Sequence, residues 1–323
     1  MRQITVIGMG LIGTSLAGAL RAADERESPL GALHVTGYDV DPANTSTARG
    51  KLAIDREAAT LAEAVQGAQL VVIATPVQAV REVLAALPPL LAEGTVVTDV
   101  ASTKAEICAW AAELLPPTFP FVGGHPMAGK AQHGPQAADL SLFQGAIYCL
   151  TPAPQVPQYA LELVEAVALT IGARPYFIDP HEHDAYVAAI SHLPFLLSAG
   201  LVDITSRSPA WRELALLAAT GYRDMTRLAS GDVAMHRDIA LTNRAALLRW
   251  IDEMMHWLAE TRDHLDAADS AALTAMFERV RDHREAWLHH NERLRPGEEH
   301  LDVMQHVERR NLFTFRNPWR KKE

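Results

Sequence analysis

"ITVIGMGLIGTSLAGALRAA", residues 4–23, decides how the chain begins to fold. Ile4 to Ile7 form a short, β-branched apolar run, and from Leu11 onward the chain is rich in Ala and Leu at helical spacing. Between the two runs stand Gly8, Gly10 and Gly13 in G-x-G-x-x-G spacing. The spacing alone is common, and a glycine turn that binds nothing shares it. Here it follows a strand and opens a helix, as a dinucleotide-binding turn requires. The first glycine permits the tight turn. The second lets the backbone approach a pyrophosphate at the helix N-terminus, where Leu11 and Ile12 lie. The third lets helix and strand pack closely.

An acidic residue should then close the second strand, and Asp39 in "GYDVDP" does so. Its carboxylate suits a ribose 2′-hydroxyl and repels a 2′-phosphate. Val40, Asp41 and Pro42 follow with no Arg or Lys, which favours NAD over NADP. Asp41 competes for the ribose role, although Asp41-Pro42 has the form of a cap for the next helix.

The β–α alternation continues. Strands are expected at 33–39, 68–76, 95–100, 119–124, 146–152 and 174–179, with helices at 77–94, 102–115 and 159–171. Ser102 is the expected N-cap of the helix at 102–115. Thr75 and Pro76 end the strand at 68–76 and join the cofactor-binding set. Near-continuous apolar strands argue for a parallel sheet covered on both faces. After Pro180 only long helical runs remain, at 182–207, 232–265 and 270–294. The expected fold is therefore α/β: an N-terminal Rossmann-type, doubly wound sheet followed by an all-α C-terminal domain. The boundaries are 1–179, a dinucleotide-binding domain; 180–295, a helical domain; and 296–323, a charged tail.

The bulk numbers exclude some functions. A formal net charge of −10 argues against nucleic-acid binding. Cys108 and Cys149 have no metal-ligand spacing and suit a reducing compartment, so no metal is expected. Glycines interrupt the apolar N-terminal run, which does not resemble a signal peptide, and no other stretch has the uninterrupted apolar length of a membrane helix. The expectation is a cytoplasmic protein without a membrane partner.

"GGHPMAGKAQHG", residues 123–134, is too broken for a helix or a sheet interior and suggests a shaped loop presenting His125. The loop follows a strand, and ligands in open α/β sheets bind beyond the strands' carboxyl ends. A histidine there suits a base that takes a hydroxyl proton as hydride leaves, although a structural hydrogen bond is the plainer use. "TDVASTK" (98–104) brings Ser102, Thr103 and Lys104 to the same edge, and "ISHLPF" (190–195) puts His192 in the helical part. Arg223 and Arg227 are four residues apart and share a face if the segment is helical. Guanidinium groups there suit a carboxylate, or form a solvated face with Asp224.

"GMGLIGTSLA", "TDVASTK", "GGHPMAG", "SHLP" and the stretch from Gly221 to Ile239 stand in the order found in the prephenate/arogenate dehydrogenases of tyrosine biosynthesis. The chain resembles that family over roughly residues 3–290. The resemblance implies that prephenate loses hydride from C4 to NAD⁺ and CO₂ from the ring, giving 4-hydroxyphenylpyruvate. It implies that His125 accepts the 4-hydroxyl proton and Ser102 hydrogen-bonds that hydroxyl. His192 would hydrogen-bond the substrate and Arg227 would pair with a carboxylate, with Arg223 beside it. Lys130-Ala131 departs from many relatives, which carry a small hydroxyl residue and then an acidic one. Lys130 would suit the keto-acid end of prephenate and repel the ammonium of arogenate, the alternative substrate. His236 stands where relatives often have tryptophan and is given no role. The family implies a homodimer through the helical domain, with residues 245–258 as interface or as core. A β-hydroxyacid or imine reductase, and a non-catalytic NAD-binding regulator, are the competing readings.

Overall fold

The computed structural model describes residues 1–130 and 132–293; Ala131 and the charged tail from 296 lie outside the described residues. The first βαβ unit is β1 (Arg2–Ile7), α1 (Leu11–Ala22) and β2 (Leu33–Tyr38). Next come α2 (Pro42–Gly50), β3 (Arg56–Glu57), α3 (Leu61–Val65) and β4 (Leu70–Ile73). The chain continues through α4 (Val77–Ala86), β5 (Val96–Asp99), α5 (Ala105–Leu114) and β6 (Phe121–Pro126). The sheet is completed by β7 (Ile147–Pro152), α6 (Gln158–Thr170) and β8 (Arg174–Phe177). The eight strands lie in the order β3-β2-β1-β4-β5-β6-β7-β8, so the winding direction reverses between β1 and β4.

Apolar burial explains why "LVVI" of β4 carries no polar alternation. Leu70 and Val72 pack into one core with Leu16 and Leu20 of α1 and Val164 and Val167 of α6. Val71 and Ile73 point the other way, into a core with Val80 and Leu84 of α4 and Ile107 and Trp110 of α5. Helices thus cover both faces, and each fully buried side chain of this kind contributes about 1.5–3 kcal/mol.

Two expectations need correction. The sheet is not wholly parallel, because β6 and β7 pair antiparallel, His125 opposite Cys149. Among the described residues of the connection between them, the one helical element is the short 3-10 turn Pro135–Ala137. A parallel return requires a crossover, usually a helix, and without one the chain comes back alongside. His125 is therefore not in a loop: "GGHP" is the last part of β6. Glycines sit there because the neighbours leave no room. A Cβ on Gly124 would lie 2.6 Å from the Asp99 carbonyl oxygen, and one on Gly123 would lie 2.3 Å from Thr151 Oγ1.

The helical part begins with α7 (Pro180–Val187) and α8 (Leu193–Ser206). It continues with α9 (Trp211–Leu217), α10 (Thr220–Thr226), α11 (Val233–Thr242), α12 (Arg244–Asp266) and α13 (Ser270–Arg293). Helix α7 packs against α5, and α11 against α4. Met1–Glu253 forms one compact unit and the residues from Met254 a second. Within the second, Asp269 accepts from the Ala272 N–H and caps α13, and Thr261 Oγ1 donates to Met276 Sδ.

Pro180–Ser206 is a continuous helical run long and apolar enough, by length and composition, to cross a membrane, which the sequence reading did not anticipate. The run contains the buried polar residues His183, Asp184 and His192, each engaged with the first unit's own side chains. Ile190, Leu197 and Ile204 leave an apolar face exposed.

Candidate active site

The glycine turn has the required geometry. Gly8 takes φ +96°, and a Cβ on Gly13 would lie 1.9 Å from the Gly8 carbonyl oxygen. Nothing lies within 4 Å of a Cβ built on Gly10, so the turn is open where a pyrophosphate would approach. Leu11 and Ile12 open α1 without a side-chain cap, leaving its first N–H groups to a ligand. Asp39 follows β2 and accepts from Met9 N–H at 2.7 Å, tying the acidic residue to the glycine turn. Asp41 caps α2 by accepting from Ala43 N–H at 2.9 Å. Thr75 and Pro76 follow β4, beside the switch point; Thr75 Oγ1 is buried and, among the described residues, has no hydrogen-bond partner. An open glycine cradle, an orphaned hydroxyl and a carboxylate at the ribose position fit a dinucleotide.

Next along the sheet edge, a buried ion pair fixes the peptide that carries His125. Lys104 and Asp99 are both fully buried and pair through Nζ and Oδ2. Lys104 Nζ also donates to the Gly124 carbonyl at 2.6 Å, and Asp99 Oδ1 accepts from Gly124 N–H at 3.1 Å. Asp99 Oδ2 accepts from Ala101 N–H at 2.9 Å. Both polar groups of the residue before His125 are thereby held from one side.

Helix α5 starts at Ala105, three residues later than expected, and Ser102 is not its cap. Instead Asp184, from α7, accepts from Lys104 N–H at 2.7 Å and from Ala105 N–H at 2.9 Å. A carboxylate at a helix N-terminus also meets the positive end of the helix dipole. Ser102 is half-buried in the turn after β5.

His125 Nδ1 lies 2.9 Å from His183 Nε2, and His183 Nδ1 lies 2.8 Å from Asp184 Oδ1. Burial, and then the neighbouring His183 ring, hold the pKa of His125 well below the ordinary imidazole value. Its ring is neutral at physiological pH and retains a partly accessible edge.

His192 is placed by a distortion. Pro194 cannot donate to the helix ladder, and Leu193 N–H instead reaches back five residues to the Ala188 carbonyl. This π turn, Ala188–His192, buries the ring. Asn243 Nδ2 sits 2.7 Å from the Asp184 carbonyl and 3.1 Å from His192 Nδ1. As the amide nitrogen can only donate, Nδ1 accepts and Nε2 carries the hydrogen. That Nε2 is buried and, among the described residues, has no partner. Burial pushes its pKa down to about 4. Phe195 lies beside it and stacks on His236, ring centres 4.3 Å apart.

The depressed His192 has a consequence for stability. The unfolded chain binds a proton near pH 6.5 where the folded chain does not, so this group's contribution is lost as the pH falls from about 6.5 toward 4. Urea midpoints should drop between pH 7.5 and 5, and His192→Gln should flatten that drop. Parallel profiles for the two proteins would mean that His192 is not neutral by burial.

The two arginines are placed differently from the spacing argument. Arg223 is in α10, but Arg227 starts the 3-10 turn Arg227–Ser230, so the helix does not run on uniformly between them. That turn packs on α8, with Ala229 N–H donating to Ser198 Oγ at 3.0 Å. Both arginines are exposed, and among the described residues neither guanidinium, nor Asp224, has an ion-pair partner. Lys130, by contrast, is engaged: its ammonium lies 2.6 Å from Asp139 Oδ2.

The sequence reading missed Asp99, His183, Asp184 and Asn243. For Asp99 and Asp184 the signal was an acidic residue within or opening an apolar run, "VVTDV" and "DAYVAAI"; His183 and Asn243 carried no such signal. Spacing gave no indication of what they pair with.

Comparison with known proteins settles the kinship. A family model described as "Prephenate dehydrogenase, nucleotide-binding domain" matches residues 22–177, and one described as "Prephenate dehydrogenase, dimerization domain" matches residues 179–279. The prephenate dehydrogenase of Bacillus subtilis (strain 168) is 35% identical over 289 residues, 87% of this chain and 75% of that protein. This chain belongs to the prephenate dehydrogenase family. Among solved members, prephenate dehydrogenase from Aquifex aeolicus in complex with hydroxyphenyl propionate and NAD⁺ superposes with TM-score 0.81 at 28% identity, over 88% of this chain and 98% of that one. Synechocystis arogenate dehydrogenase superposes with TM-score 0.74 at 30% identity, over 88% and 99%. The family thus contains enzymes named for either substrate. The nucleotide-binding match begins after the glycine turn, whose assignment rests on its own geometry.

Proposed function

We propose that this chain is a cytoplasmic, NAD-dependent prephenate dehydrogenase, active as a homodimer, that converts prephenate to 4-hydroxyphenylpyruvate. The observation that carries this reading is two histidines of complementary character. His125 is held neutral beside the cofactor edge, and His192 offers a buried, unmatched Nε2–H. Gly8, Gly10, Gly13, Leu11, Ile12, Asp39, Thr75 and Pro76 would hold the dinucleotide. Bound there, NAD⁺ supplies the hydride acceptor.

The side chains then have separate tasks. His125 takes the proton of the substrate hydroxyl, Ser102 hydrogen-bonds that hydroxyl, and His192 donates to a substrate oxygen. Arg227, with Arg223 behind it, meets a carboxylate. Loss of CO₂ is driven by aromatisation, so the protein's work is to position the ring and accept one proton. The engagement of Lys130 by Asp139 removes one argument for prephenate over arogenate. What favours prephenate is the kinship with the Bacillus subtilis enzyme.

The apolar surface of the helical part supports the dimer. Ile190 and Ile204 are 69% and 75% exposed, and on α12 Leu248, Met255 and Leu258 are each more than half exposed. Residues 245–258 thus belong to the proposed interface. Such patches on a water-soluble enzyme mark association surfaces.

The test is NADH formation with prephenate and with arogenate, each offered NAD⁺ or NADP⁺. Turnover of prephenate with NAD⁺ is expected. Tight NAD⁺ binding without turnover of either acid would return the chain to the regulator reading. Arg227→Ala should raise KM for prephenate about 10- to 100-fold, the value of a charge-assisted hydrogen bond of roughly 1.5–3 kcal/mol, with kcat little changed. An unchanged KM would make Arg227 part of a solvated face.

A further inference from the structure

The two side chains in line behind His125, His183 and then Asp184, decide which of its nitrogens can act. Asp184 is buried, and each of its two oxygens accepts a backbone N–H group at the start of α5, as a capping carboxylate does. An ionised carboxylate only accepts, so the hydrogen on the 2.8 Å contact belongs to His183 Nδ1. In neutral His183, Nε2 is then a lone pair. The 2.9 Å contact to His125 must carry its hydrogen on His125 Nδ1. What remains is His125 Nε2, an acceptor facing away from the pair.

We propose that His183, oriented by Asp184, is the positioning residue that holds His125 in the Nδ1–H form, so that Nε2 is the atom that receives the substrate proton. It rests on the reading of His125 as proton acceptor. The step balances: the substrate O–H bond breaks, an Nε2–H bond forms on His125, and the Nδ1 hydrogen stays in place. His125 becomes an imidazolium whose Nδ1–H bond to His183 is now charge-assisted, with the Asp184 carboxylate one ring further back. That compensates for a site in which burial, and the Lys104 ammonium, oppose a charge on His125. The arrangement also explains an oddity of α7. Two adjacent residues, one imidazole and one carboxylate, are both buried on a helix whose other turns are partly exposed.

The tautomer can be read without substrate. Histidine-labelled protein should give long-range nitrogen–proton NMR patterns of the Nδ1–H form for both rings. The signals are assigned by their loss in His125→Asn and His183→Gln. An Nε2–H form for His125 overturns the proposal, whatever the enzyme's substrate proves to be. Kinetics supply the second arm. His183→Leu should lower kcat about 10- to 100-fold at nearly constant KM for prephenate, because only the population and orientation of the base change. His183→Gln, whose carbonyl can accept from His125 Nδ1, should restore most of that loss. Unchanged kcat in the leucine variant, or a glutamine variant as slow as the leucine one, overturns the proposal. Absence of prephenate turnover in the wild type would instead sink the proposed function and leave the NMR result standing.

Discussion

His125→Asn should lower kcat by about 10²-fold or more while leaving NAD⁺ affinity within about twofold. The asymmetry follows from placement. His125 lies near the end of β6, with β4 and β5 between it and the β1 turn that would hold the pyrophosphate, and it makes no hydrogen bond to any residue of the cofactor set. Asparagine keeps a polar group of similar reach but cannot accept a proton at neutral pH. The backbone should be undisturbed, since the Gly124 peptide is held by Asp99 and Lys104 rather than by the imidazole. The decisive pair of measurements is steady-state kcat with prephenate and NAD⁺ titration by fluorescence. A kcat within threefold of wild type would remove His125 from the chemistry. Equal losses in kcat and cofactor affinity would point to a damaged fold.

Lys104→Met should be the most destabilising single change in the site, by about 3–5 kcal/mol. Lys104 and Asp99 are both fully buried, so removing the ammonium strands a carboxylate where water cannot reach it. The Gly124 carbonyl loses its donor in the same step. Methionine matches the chain length and avoids a cavity, which isolates the electrostatic cost. In a unit of this size the loss corresponds to a Tm lower by roughly 6–20 °C. Adding Asp99→Leu should recover only part of it, because Ala101 and Gly124 N–H would then lose their acceptor. A Tm within about 2 °C of wild type for Lys104→Met would show that the pair contributes little, as some buried pairs do.

Kinship and site chemistry were legible to different depths. The glycine spacing was legible because a tight turn, a close approach and a helix–strand contact each demand a missing Cβ, and those demands fall at fixed intervals along one short segment. Asp39 was legible for the same reason: a strand end is local. The reading of "GGHP" as a loop failed because glycine and proline usually break structure. Here they occupy a strand whose neighbours, Asp99 and Tyr148, crowd out side chains. The Ser102 cap failed because a residue 80 positions away, Asp184, already fills that place for Lys104 N–H.

By itself, then, the sequence determined the alternation of strands and helices, the glycine turn and the acidic strand end, because each is written in periodicity or in residues close in the chain. Only the tertiary structure decided the antiparallel return of β7, the Lys104–Asp99 clamp, and the Asp184–His183–His125 line that gives the imidazole a defined tautomer. Those depend on which buried polar groups find one another across 20 to 80 residues. Burial makes an unpaired charge or N–H so costly that the fold is constrained to pair them, but nothing in the linear order says with whom.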